Sequence, residues 1–499
     1  MEPKRDSYDV VVIGAGMGGL TAAATLARKS LKVLLVDKNE RPGGYAQSME
    51  REGFIFDLAV HLICGCDEGG TVRSVLEDLR VQDEIEFIKP DVFYRCIFPD
   101  FTLDIPNGLK QFTEAHVRRF PHEKQGIEAL VSTMKDVYND AIRIPPSMGL
   151  IDLLKTPFIY PHLFKYRNKT FAQMLDDFIK DKRLKATLSA LWGYIGLSPS
   201  RLPATFMSTA IVALVGDNEY YVRGGFQQLV NALVHGLQKH GGEVMLETKV
   251  DRIHCENNKV SSVQLEGGIR VKAKVVVSNV SAKQTFGKLV SSPSINKKYL
   301  ERVHRMRPSC SVFEVFVGTD LDLRESVAAH ETFAMWSYDL DFDLADNFSH
   351  TLDETSGRGA IGICVPTLTD PSVAPEGRHV LCLASFAPYD MEKNWDEEKN
   401  NIGERLIKRV ETLIPGLNDH AVIKEIVSPL DMERLTLNDQ GAPYGWEKSI
   451  DQLGPKALTF STPFEGLYLA GHWTGLEHGV PGTMGSGKRV SDVIVRAIC

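Results

Sequence analysis

The stretch VVIGAGMGGL, residues 11–20, decides the fold. Its first residues close the apolar run YDVVVI, which reads as a strand buried on both faces. Gly14, Gly16 and Gly19 follow in G-x-G-x-x-G spacing, and MGGLTAAATLARKS then reads as a helix. LKVLLVDK supplies a second buried strand. A strand–helix–strand unit crosses over right-handedly and implies a parallel sheet. Gly14 permits the tight turn, Gly16 lets backbone approach a pyrophosphate, and Gly19 lets the helix pack closely on the sheet. The helix opens at Met17 and Gly18, whose N–H groups are offered to phosphate. Asp37 ends the second strand 23 residues beyond Gly14, where a ribose-binding acid is expected, with Lys38 after it. The competing reading of Asp37 is a turn cap.

Working outward, RPGGYA places a second glycine pair, Gly43 and Gly44, and then Tyr45 just past the ribose acid. Such a pair lets the chain run close to an extended ligand, which favours FAD over NAD. A plain Pro-Gly turn is the alternative. Only one complete fingerprint is present. A tightly bound NAD(P)H partner domain is therefore not expected; electrons would pass to or from an external acceptor or donor, or the flavin would act without net redox change.

The 499 residues are too many for one ordinary core. α/β character appears at 8–71, 216–290 and 431–499, which together form one discontinuous dinucleotide domain. Helical periodicity dominates 72–215, expected as a helical substrate or cap region. Residues 291–430 mix strands and helices and are expected as an α+β substrate domain.

The net charge of −8 argues against nucleic-acid binding. Eight cysteines are scattered without a C-x-x-C. Cys64 and Cys66 form a C-x-C with no neighbouring cluster to complete four ligands, so no metal site is expected. Reduced thiols suit a cytoplasmic protein. The N-terminus has no apolar signal region, and no run reaches the roughly 18 apolar residues of a membrane span. Ile142–Lys169 mixes aromatic, leucine and basic residues with prolines. It reads as a helical cap or as a peripheral membrane contact for a lipophilic substrate.

Four stretches carry a family resemblance. DKNERPGGYAQSMEREGFIFDLAVHLICG, residues 37–65, is similar to the N-terminal region of the phytoene desaturase family of flavoproteins, which includes carotenoid desaturases, prolycopene isomerase and retinol saturase. Residues 221–250, from YVRGG to GGEVMLETKV, are similar to its middle motif. GLYLAGHWTGLEHGVPGTMGSG, residues 466–487, resembles its C-terminal motif, and DPSVAPEGRHVLCLAS, residues 370–385, also fits. The resemblance implies a Rossmann-type FAD-binding domain of the amine oxidase/phytoene desaturase kind, with an inserted discontinuous α+β substrate domain. It implies FAD as cofactor, with Val250 near the adenine and Gly471, His472, Pro481, Gly482, Thr483 and Met484 near the ring. The reaction it implies is hydride transfer at flavin N5 with a polyene, or isomerisation without net redox change. Two positions depart from the family: His472 stands where relatives often have Asp, and Tyr45 where they often have Arg.

His61, just past the FIFDLA strand, is the candidate catalytic group, because an imidazole moves protons near neutral pH. Its alternative is a hydrogen-bonded structural histidine. Arg223 is read as a phosphate ligand or a carboxylate partner. An amine oxidase-like enzyme and a flavin-bearing interaction protein with little turnover are the competing functions. GTMGSGKR, residues 482–489, nearly matches a nucleotide-triphosphate loop, but Arg489 replaces the hydroxyl that holds Mg²⁺. Gly482, Thr483 and Met484 are instead expected to open the final helix, with their N–H groups facing the flavin pyrimidine edge.

Overall fold

Strand Ser7–Ile13 (β1) buries side chains on both faces, which is why its sequence is apolar without alternation. Val10 and Val12 join one apolar cluster; Val11 and Ile13 join another. The helix Met17–Arg28 (α1) leads into strand Val33–Val36 (β2), which pairs with β1 in parallel. On the other side β1 pairs in parallel with Arg270–Ser278, which in turn pairs in parallel with Leu467–Leu469. Glu243–Met245 adds to the far edge of β2. Strands Val250–Glu256 and Lys259–Leu265 reach Arg270–Ser278 as an antiparallel meander. Three stretches distant in sequence thus build one eight-stranded sheet.

The structure is a computed structural model that describes residues 2–144, 150–291, 296–324, 326, 333–337, 340, 359–475 and 477–498. On one face of the sheet, α1 packs against helices Gln227–Lys239 and Gly479–Ile498. The contact with the last helix is close: a Cβ at Gly487 would stand 2.3 Å from the Gly18 carbonyl oxygen.

A second, seven-stranded sheet runs in the order Ala421–Val427, Ser311–Thr319, His379–Ala387, Ala360–Cys364, Phe333–Ser337, Val92–Phe98, Phe101–Pro106. The last two strands fall within 72–215, where helical periodicity dominates the sequence, and add a hairpin that the helical reading did not include. VFYRCIF and FTLDIP form a hairpin whose outer partner, Phe333–Ser337, lies more than 200 residues downstream. No local periodicity announces such pairing.

Every residue of Ser311–Thr319 is buried. Phe313, Val315 and Val317 share a core with helix Trp395–Val410. Val312 and Phe316 face the opposite way, onto Phe54 and Phe56 of strand Phe54–Asp57. Glu314 lies between them in the alternation, so a carboxyl group stands on the apolar face between the two halves of the molecule. Asp57 braces the same junction by accepting hydrogen bonds from Ser48 Oγ, Tyr221 Oη and Phe226 N–H. Among the described residues, no helix is long and apolar enough to cross a membrane. Residues 145–149, within the stretch read as a cap or membrane contact, lie outside the described residues.

Candidate functional site

A cavity of about 400 Å³ runs along the ends of the parallel strands, the position where open α/β sheets bind ligands. Gly14, Gly16, Met17 and Gly18 line it from the first glycine loop, and Gly43, Gly44 and Tyr45 from the second. The two loops bridge at Gly16 and Gly43, where Gly43 N–H donates to the Ala15 carbonyl at 2.8 Å. Gly14 and Gly43 have φ of +96° and +124°, conformations that favour glycine. Gly19 does not line the cavity. A Cβ there would stand 2.0 Å from the Gly14 carbonyl oxygen, so it sets the approach of α1 to the turn.

Toward one end lie Asp37, Lys38 and Val250. Asp37 Oδ2 accepts from Ala15 N–H at 2.7 Å and Oδ1 from Asn39 N–H at 2.8 Å. Burial pushes its carboxyl above the usual range, and the two amides pull it back. Each oxygen keeps acceptor capacity for a sugar hydroxyl. The turn-cap and ribose readings of Asp37 are therefore compatible. Lys38 lines the cavity while its Nζ donates to the Arg434 carbonyl at 2.8 Å.

Toward the other end lie Tyr45, Tyr444, Gly471, His472, Gly479, Val480 and Thr483. Tyr45 and His472 rings stand 6.0 Å apart. Burial, followed by the charge of Lys448, pushes His472 down to about 3, so it is neutral at physiological pH. Lys448 is buried, donates to the Glu477 carbonyl at 3.1 Å and is lowered to about 8 by burial. The final helix starts at Gly479, three residues before the expected opening. The N–H groups of Thr483 and Met484 consequently belong to the helical ladder, and the open donors are those of Gly479 and Val480. Thr483 still lines the cavity; Pro481, Gly482 and Met484 do not. The sequence VPG resembles a loop because proline and glycine usually mark one, yet proline is tolerated in a first helical turn.

Asn279 was missed by the sequence reading. Its N–H donates to the Ile13 carbonyl at 2.8 Å, and a Cβ at Gly16, Gly18 or Gly471 would meet its side chain at 2.4–2.8 Å. It therefore fills the space that three glycines leave open. Its signal was its place after VVVS, at the end of the strand beside β1. Arg223 pairs with Glu86 at 2.7 Å and with Asp370 at 3.5 Å, which favours its carboxylate reading. His61 is not among the residues lining the cavity, although Ala59 and Val60 are. It is turned toward Glu314 and Cys382, and burial pushes it down to about 4.

The site fits a dinucleotide. Open amides at the start of α1 suit phosphate, Asp37 suits a ribose, and the buried Lys448 and the helix start at Gly479 bring positive potential to the far end. Fold and cavity together define a dinucleotide-binding protein of the open α/β class.

The chain belongs to the family of flavin-containing amine oxidoreductases, whose sequence pattern matches residues 17–495. Among similar proteins, it is 27% identical over 489 residues to a carrot (Daucus carota) prolycopene isomerase, covering 93% of this chain and 76% of that one. It is 28% identical over 510 residues to a Methylomonas 4,4'-diapolycopene oxygenase, covering 98% of each. A neurosporene-forming phytoene desaturase of Rhodobacter capsulatus is 27% identical, covering 97% of this chain and 93% of that one. Among solved structures, an oxidoreductase from Methanosarcina mazei superposes with a TM-score of 0.66 at 16% identity, covering 97% and 99%. A putrescine oxidase does so at 0.64 and 15%, covering 98% and 99%. These structures share the fold. The expected resemblance to the carotenoid desaturase family holds over nearly the whole chain.

Proposed function

We propose that the enzyme acts on a long polyene of the carotenoid or retinoid class, desaturating, saturating or isomerising it. One observation carries the reading. Carotenoid-converting enzymes match this chain end to end, through both sheets, so the similarity includes the substrate half as well as the cofactor loops. The packing around Tyr444, at the edge of the cavity, is compatible. Tyr444 leads to Phe386 at 6.4 Å between ring centroids, and Phe386 to Trp192 at 4.8 Å. On the other side Tyr444 stacks on His478 at 4.9 Å, beside Phe206 at 5.9 Å. Tyr444 lines the cavity and Trp192 is buried behind it, so the run surrounds that end with aromatic rings rather than charges.

Bound FAD supplies hydride transfer at N5. The chain's own residues hold and shield it. Gly14–Gly18 and Asp37 would hold its pyrophosphate and ribose, and Val250, which lines the same cavity, would lie at its adenine end. Tyr45 and His472 stand at the ring end as neutral groups. Lys448 and the Gly479 helix start would add positive potential at the ring end, where the bound cofactor would carry negative charge on reduction. Burial of this end excludes water. The electron acceptor or donor is external.

The substrate-entry side is proposed to touch membrane lipid. Ile142, Phe158 and Ile159 are 62%, 86% and 47% exposed, and Arg143, Lys165 and Arg167 lie nearby in sequence. The experiment for the main reading is anaerobic mixing of holoenzyme with poly-cis carotenes. Bleaching of the flavin, or a changed isomer pattern on chromatography, is expected. Intact FAD with neither response sinks the reading. Bleaching by amines instead moves the protein to the amine oxidase class.

A further inference from the structure

His61, Glu314 and Cys382 come from three separate places: the loop after Phe54–Asp57, strand Ser311–Thr319 and strand His379–Ala387. Glu314 is opposite Ala384 in the pairing of the two strands, and Cys382 is opposite Phe316. Glu314 and Cys382 are therefore diagonal neighbours on adjacent strands. The loop lays His61 onto them. Its Nε2 is 3.9 Å from Glu314 Oε1 and 3.9 Å from Cys382 Sγ. All three donor atoms lie within 4.8 Å of one another.

Glu314 is 2% exposed and Cys382 4%. The wall around them is apolar, made by Phe54, Phe56 and Phe316. The imidazole–carboxylate separation is too long for a hydrogen bond. Glu314 Oε2 has no hydrogen-bond partner among the described residues. A buried carboxyl oxygen in that position calls for another interaction to offset its desolvation. Two ligands of one tetrahedral ion, with bonds of about 2.0–2.3 Å, stand roughly 3.4–3.6 Å apart. The two 3.9 Å spacings exceed this by a few tenths of an ångström, and the Glu314–Cys382 spacing, within 4.8 Å, by up to about 1.4 Å, so binding requires rotation of the Glu314 and Cys382 side chains toward each other. One nitrogen, one oxygen and one sulfur suit a zinc-class ion; magnesium and calcium take oxygen alone.

We infer that His61, Glu314 and Cys382 form a binding site for a divalent transition-metal ion of the zinc class, at the junction of the two sheets. Charge balances. The ion enters with two positive charges, and the Cys382 thiol and Glu314 carboxyl each release one proton to solvent. The neutral imidazole binds through Nε2, and no electron moves. The cluster is neutral before and after, so no lone charge is left in the apolar wall. Three protein ligands leave a tetrahedral ion one open position, as in sites that hold water or an exogenous ligand. The inference does not depend on the polyene reading.

The test uses the flavin-loaded enzyme, stripped with a chelator and desalted. Zinc is added, excess is removed by gel filtration, and metal is counted by mass spectrometry. One retained equivalent is expected. With Co²⁺ in place of zinc, a difference spectrum is expected to show thiolate charge transfer and tetrahedral d–d bands to the red of flavin absorption. Cys382→Ser loses the charge-transfer band and binds zinc roughly 100-fold more weakly, and His61→Gln weakens zinc similarly. Cys364→Ser, at the neighbouring thiol, keeps both signals. Wild-type enzyme that retains no more zinc than Cys382→Ser, as a site holding only water would, overturns the inference. Loss of the band in Cys364→Ser rather than Cys382→Ser does so too. If Cys382→Ser does not fold, the wild-type Co²⁺ spectrum decides alone: a thiolate band supports the site, and its absence overturns it.

Discussion

The two ends of the cavity, and the wall behind one of them, are built by different means. The phosphate end is made of backbone: Gly14, Gly16, Met17 and Gly18 present amides, and side chains there mostly have to be absent. The ring end and the wall behind it are made of side chains: Tyr45, His472, Lys448, His61, Glu314 and Cys382, several of them titratable and buried. A backbone site tolerates charge changes and not volume. A side-chain site should respond to pH.

The largest expected effect tests the second half of that contrast. His472 is held near 3 in the folded protein, against about 6.5 when unfolded. Between those values the unfolded chain binds the extra proton, so acidification removes stability across that window. Buried acids held above their ordinary values, such as Asp37 and Asp57, push the opposite way. The informative quantity is therefore a difference. His472→Asn should lose less stability than wild type on going from pH 6.5 toward 3, by a few kcal/mol at roughly 1.4 kcal/mol per unit. Urea midpoints at several pH values measure it, and parallel curves would remove titration from the ring end.

Next comes volume at the phosphate end. Gly19→Ala places a methyl 2.0 Å from a carbonyl oxygen and forces α1 off the turn. Flavin retention should fall about 100-fold, near 2.8 kcal/mol. Purified protein of normal yellow colour would show that the turn is softer than its contacts imply. A smaller loss is expected for Asp37→Asn, because the amide offers one acceptor oxygen to two N–H donors. FAD affinity should drop about tenfold, or 1.4 kcal/mol, by fluorescence titration. A loss larger than that of Gly19→Ala would reverse the contrast. The smallest belongs to Arg223→Gln. Its Glu86 partner is well exposed, and solvent screens such a pair. Unchanged flavin affinity is expected, and a tenfold loss would restore Arg223 as a phosphate ligand.

The same contrast explains what was legible. A phosphate loop must be contiguous, since successive amides converge on one anion. Gly14 to Gly19, Asp37, Gly43 and Gly44 could therefore be read in order. The start of the last helix was misplaced because glycine and proline signal a loop, and only the helical hydrogen bonds from Gly479 onward show otherwise. Asn279 had only its place at the end of the strand beside β1 as a signal, because its importance lies in the glycines around it. The strands Val92–Phe98 and Phe101–Pro106 were passed over because their outer partner is far downstream.

The sequence alone determined the parallel α/β unit, the dinucleotide loop, the second glycine pair and the family resemblance. Each of these rests on local spacing, which backbone geometry makes diagnostic. Tertiary structure alone decided that His61 turns from the cavity to Glu314 and Cys382. Those residues lie 253 and 321 positions away. Their meeting follows from strand register and from one loop packing on a distant sheet, and no short-range pattern encodes either.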